Sequence, residues 1–147
     1  MTGVDVTFAV VCDYANITGD GKLNVLGVFG EINPPVLPFS FPQMFLVVSY
    51  KAQPPEYESS KQIKMVLLDS DATSELLSLE QTVVIPRPVR PGTPVRFNHV
   101  IGMAGVGFPK AGDYVFHVMV NDDSKASVEI HVNEPPEAQN LTEASTT

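Results

Sequence analysis

Apolar residues along the chain come in short runs, with turn-forming residues between them. The runs fall at about 5–12, 22–32, 43–51, 62–69, 75–85, 95–103, 113–121 and 125–132. The first alternates Val6, Phe8, Val10 and Cys12 against Asp5, Thr7, Ala9 and Val11. The last alternates Ala126, Val128, Ile130 and Val132 against Lys125, Ser127, Glu129 and His131. A period of two puts one set in a core and the other in water, as in a half-buried strand. No long segment keeps a helical period. The pattern therefore predicts an all-β domain over 1–132: about eight antiparallel strands in a two-sheet sandwich with Greek-key connections, or alternatively a jelly roll.

Register and strand direction follow from the same pattern. Phe116, Val118 and Val120 should share a buried face with Ala126, Val128 and Ile130, because a one-residue slip would turn one set outward. Pairing Val118 with Val128 leaves Asp122-Asp123-Ser124 as a hairpin loop and sets His117 opposite Glu129. Strict antiparallel alternation gathers the loops 13–21, 52–61, 86–94 and 122–124 at one polar end. It gathers 33–42, 70–74 and 104–112 at the other, where two of the three loops are rich in proline and aromatic residues.

Composition supports the strand reading. Valine is the commonest residue, and Val plus Ile outnumber Leu plus Ala by 27 to 19. Branched side chains are stiff at χ1 and fit a pleated surface. The 13 prolines fall mostly between the runs. After Val132 the segment 133–147 has little to bury and three glutamates, which reads as an acidic disordered tail.

Charge narrows the partners. Nine basic against 17 acidic residues give a net charge of −8. On that ground nucleic acid is not expected, since phosphate binding rests on clustered Lys and Arg. Nor is an anionic membrane surface. No apolar run approaches the ~18 residues of a spanning helix, and the first residues do not read as a signal peptide. With Cys12 the one cysteine, there is neither an intrachain disulfide nor a thiolate zinc cluster. The simplest expectation is a cytoplasmic protein.

Several segments together resemble an uncharacterised bacterial family of small β-sandwich domains. They are Cys12-Asp-Tyr-Ala15, Gly21-Lys-Leu-Asn-Val-Leu-Gly-Val-Phe29 with Ile32, Pro42-Gln-Met-Phe-Leu-Val47, Phe108-Pro-Lys-Ala-Gly-Asp-Tyr-Val-Phe116 and the closing strand at 128–132. The resemblance implies an immunoglobulin-like or related Greek-key fold and carries no activity.

Candidate chemistry is sparse. The three histidines, His99, His117 and His131, form no His-x-His pair, although His117, His131 and Glu129 share a wet face by the register above. Asp69-Ser-Asp71 and Asp122-Asp123, the latter joined by Asp13 and Asp20, resemble acidic loops that hold calcium. Turn chemistry explains the same residues. Cys12 falls on an apolar face and reads as a small core residue. There is no nucleophile elbow and no phosphate-cradling glycine loop. Gly102, Gly105 and Gly107 suit a bulge. Arg87, Arg90 and Arg96 lie in a proline-stiffened crossing that suits an acidic partner or a plain surface. Tyr114, after Gly112-Asp113, is placed to close a corner through its hydroxyl.

The sharpest lead is the apolar end. Phe39, Phe41, Met103 and Phe108 either form an exposed interface or cap the core. The expected function is a non-enzymatic module that offers this end, or an edge strand, to a protein partner or to itself. The alternative is an ion- or ligand-binding module built on the acidic loops. An enzyme ranks third, and no cofactor is implied.

Overall fold

A computed structural model of the chain describes residues 3–136. It has nine strands rather than eight: β1 (Val4–Ile17), β2 (Leu23–Val28), β3 (Glu31–Ile32), β4 (Phe39–Ala52), β5 (Ser60–Asp69), β6 (Glu75–Val84), β7 (Val95–Phe108), β8 (Gly112–Val120) and β9 (Asp123–Val132). They form two sheets, ordered β2-β1-β4-β7 and β3-β9-β8-β5-β6. One apolar core draws on both sheets. Met44, Leu46 and Tyr50 come from the first, and Ile63, Leu67 and Phe116 from the second.

The extra strand comes from the run at 22–32. Its first half pairs antiparallel with β1, and then the chain crosses to the other sheet. There β3 runs parallel to β9, with Glu31 beside His131 and Ile32 beside Val132. Strict antiparallel alternation therefore fails at this point, and the predicted grouping of loops fails with it. Because β1 runs against β4, with Val4 opposite Ala52 and Cys12 opposite Phe45, residues 18–22 lie at the end away from residues 53–59. The latter share their end with 85–94, where the Tyr57 hydroxyl donates to the Thr93 carbonyl. Asp20 and Asp122 are thus at opposite ends.

Two irregularities decide which side chains face the core. In β1 the pairing with β4 shifts between Val6 and Phe8. Val4, Val6, Ala9 and Val11 face the core, whereas Val10 and Cys12 turn to the outer face of the first sheet. Cys12 is fully buried there in a second cluster with Ala15 and Val47, so it is not part of the main core. In β4 and β7 the register holds throughout, but the inward set skips from Phe41 to Met44 and from Val106 to Met103. Pro42, which has no N–H, breaks the ladder there, and on the facing strand Gly105 takes φ +66°. Beyond this kink the segments expected as loops, 39–42 and 104–108, continue as strand.

The β8–β9 face assignment holds: Phe116, Val118, Val120 and Ile130 are buried, with Ala126 and Val128 half-buried. The register differs from the expected one by two residues. Val118 pairs with Ala126 and Phe116 with Val128, because Asn121 and Asp122 both adopt positive φ and make a tighter turn than the one expected. His117 consequently lies opposite Ser127, and Glu129 opposite Val115. Beyond Val132 the Asn133 N–H still donates to the Ile32 carbonyl, and Pro135 is buried. From residue 137 on, the expected tail lies outside the described residues.

Candidate functional site

Each sheet leaves two strands with one unpaired side. Unpaired backbone N–H and C=O groups are a template for another strand, and proteins usually guard them with charge, proline or shortness. β3 is two residues long and β2 six. β6 carries Glu75 and Glu80. β7 is fourteen residues long and, from Phe97 to Phe108, contains no Lys, Arg, Asp, Glu or Pro. Small residues, Gly102, Ala104, Gly105 and Gly107, leave its backbone open.

The free edges of β6 and β7 flank a cleft of about 420 Å³ between the sheets. Its walls are Leu77 and Leu79 from β6 and Ile101 and Met103 from β7, with Ile63 and Met65 of β5 also lining it. No charged residue lines it. The polar pair is His99 and Gln81, whose Nε2 and Oε1 atoms are 2.6 Å apart. An amide oxygen only accepts, so the His99 Nε2 carries the proton and donates. Burial lowers the His99 pKa, and no charged neighbour contributes to the shift. The neutral ring leaves Nδ1 buried without a partner.

The four residues expected at an apolar end divide. Phe108 is fully buried and Met103 nearly so, while Phe39 and Phe41 are half-buried against the core. Phe39 pairs directly with Phe108, and its ring meets Phe41 edge-on at 6.1 Å. These rings do not make one exposed patch. Phe108 packs instead against Tyr114, with ring centroids 5.1 Å apart. Met103 does border the cleft.

The other candidates disperse. Among the described residues, no three His, Cys, Asp or Glu side chains converge on one point. His131 Nδ1 contacts Asp113 Oδ1 at 2.6 Å on an exposed face. Asp69 accepts from the N–H groups of Thr73 and Ser74, which is turn chemistry. Arg87 forms a two-pronged ion pair with Glu58 and lies over the Tyr57 ring. Cys12 is buried on its face, and burial raises its thiol pKa above the ordinary value. Among the described residues no helix is long and apolar enough to cross a membrane.

Leu77, Leu79 and Gln81 were not singled out from the sequence, and His99 was weighed only as a metal ligand. The available signal was the charge-free stretch after Arg96. It was obscured because residues 104–112 read as a loop.

No curated protein matches the chain. A solved structure with a similar fold is the Pseudomonas fluorescens alkylpurine DNA glycosylase AlkC bound to DNA containing an abasic site analog. The TM-score is 0.50 at 12% identity; the match covers 90% of this chain and 31% of the glycosylase. The chain thus spans about a third of that protein, and the likeness is one of fold. It corrects one expectation all the same. The expectation of no nucleic-acid partner does not stand for this fold, because a chain containing a similar one is bound to DNA. A family model matches residues 7–133, and the chain belongs to that family of unknown function, DUF6941.

Proposed function

We propose that the protein is a non-enzymatic interaction module of the cytoplasm that binds a protein segment by strand addition to β7. The observation that carries this is the long, charge-free, proline-free edge of β7 beside an apolar cleft. Main-chain hydrogen bonds along such an edge supply affinity, and pockets for alternate side chains supply specificity. A buried, unpaired Cys12 accords with a reducing compartment. The fold behind the edge is read as an immunoglobulin-like sandwich. Tyr114 supports that reading: it opens β8 and donates its hydroxyl to the Lys110 carbonyl, as a tyrosine corner does.

The test is selection of random displayed peptides on the immobilised protein, followed by amide hydrogen exchange. Bound peptides should be extended with alternating apolar residues, and they should protect amides between Gly102 and Gly107. Ala104→Lys, which puts a charge on the exposed edge, should abolish binding. Peptides that protect amides elsewhere, or that bind this variant equally well, would overturn the reading.

A second reading is nucleic acid, favoured by the DNA-bound structural neighbour and by Lys51 opposite Arg96 across β4 and β7. Fluorescence anisotropy with a labelled duplex at two salt concentrations tests it. Binding that weakens with salt and is lost in Lys51→Glu/Arg96→Glu would favour this reading over strand addition.

A further inference from the structure

We infer that the cleft between β6 and β7 is a specificity pocket for one large, neutral, apolar side chain of the segment that adds to β7. This rests on the strand-addition reading and names the chemistry of its partner.

The geometry follows from the pleat. Successive residues of an added strand point alternately to the two faces of the first sheet. On the inner side they meet the space beneath Ile101 and Met103, which is the cleft. Its volume of about 420 Å³ falls within the ~300–1,000 Å³ range of small-ligand sites. A ring or a branched chain fits such a space, whereas a β-carbon alone would leave it unfilled.

Charge makes the choice sharper. No Lys, Arg, Asp or Glu lines the cleft, so an entering charge would lose water without gaining a counter-charge; the unpartnered His99 Nδ1 offers only a neutral acceptor. The His99–Gln81 pair satisfies itself at Nε2 and keeps that part of the cleft neutral. Outside the cleft the pattern reverses. Glu75 and Glu80 are exposed on β6, the strand that supplies Leu77 and Leu79 to the cleft wall. The favoured segment therefore carries an apolar residue flanked by basic ones, and acidic flanks are disfavoured.

The experiment uses side-chain analogues on the full chain, read by methyl and amide NMR shifts. Toluene and p-cresol stand for aromatic side chains, and n-butylammonium for lysine. Toluene and p-cresol should move the methyl signals of Leu77, Leu79, Ile101 and Met103 in a saturable way. n-Butylammonium should not. Leu79→Trp should fill the cleft and abolish these shifts, with Leu76→Trp at the rim as the substitute if the first variant loses its dispersed spectrum. No saturable shift in the wild type, equal shifts with n-butylammonium, or shifts unchanged in the folded Trp variant would overturn the pocket. Analogue binding together with failed peptide selection would instead overturn the strand-addition reading and leave the pocket standing.

Discussion

The hydroxyl of Tyr114 donates to the carbonyl of Lys110 at 2.6 Å and closes the corner where β7 gives way to β8. The ring is buried against Phe108 at the same corner, so one side chain ties the turn to the core. Tyr114→Phe keeps the ring and loses only the bond. The expected cost is about 0.5–1.5 kcal/mol in a urea titration, with an unchanged m value. A neutral result would show that the corner holds without its hydroxyl.

Phe108 is fully buried, and its removal should behave as loss of core. Phe108→Ala should destabilise by roughly 3–5 kcal/mol. Phe39→Ala, at a half-buried site, should cost clearly less. Equal effects in thermal melts would contradict the burial difference between these paired residues.

Gly105 and Gly107 lie two residues apart on β7 and should respond differently. Gly105 has φ +66°, a region where an L side chain costs roughly 1–2 kcal/mol. Gly107 has no such constraint, and an added Cβ would meet nothing within 4 Å. Gly105→Ala should lower the melting temperature, while Gly107→Ala should leave it unchanged or raise it slightly. The reverse order would place the kink elsewhere.

Tyr50 stacks on Phe97, with centroids 4.8 Å apart, and buries its hydroxyl without a partner. An unsatisfied buried polar group costs about 1–3 kcal/mol. Tyr50→Phe should therefore stabilise the protein, as measured by differential scanning calorimetry. Destabilisation would mean that the hydroxyl is bonded.

His99 and Glu56 each contribute to the acid side of the stability curve. Burial lowers the His99 pKa, so the unfolded chain takes up its proton first. Stability should fall once the pH drops below the unfolded value of about 6.5 and stop falling below the folded one. Glu56 has its carboxyl pKa lowered by hydrogen bonds from Lys61 and from the Gly3 N–H. Its contribution is present above the unfolded carboxylate value of about 4.3 and is lost as pH falls through the folded one. His99→Phe should flatten the first window and Glu56→Gln the second, in urea titrations across pH.

The strands were legible wherever alternation was clean and uninterrupted. β8 and β9 show this: their faces hold, and only the turn shifts the register. Legibility failed where a single residue reverses the alternation. The bulge after Val6 moves Cys12 from the expected core to the opposite face. Pro42 and Gly105 do the same for β4 and β7, so two strand extensions looked like loops. The cleft was not legible because Leu79 and His99 become neighbours only through the packing of two sheets. Local pattern carries no information on that.

Cys12 makes the outer face of the first sheet measurable in time. The chain has one thiol, and it lies buried beside Val47, with its Sγ 3.4 Å from the Tyr14 carbonyl oxygen. A thiol reagent reaches it only when that layer parts. Its labelling rate therefore counts every opening that exposes this face, local or global, and the protein carries its own single-site clock for such events.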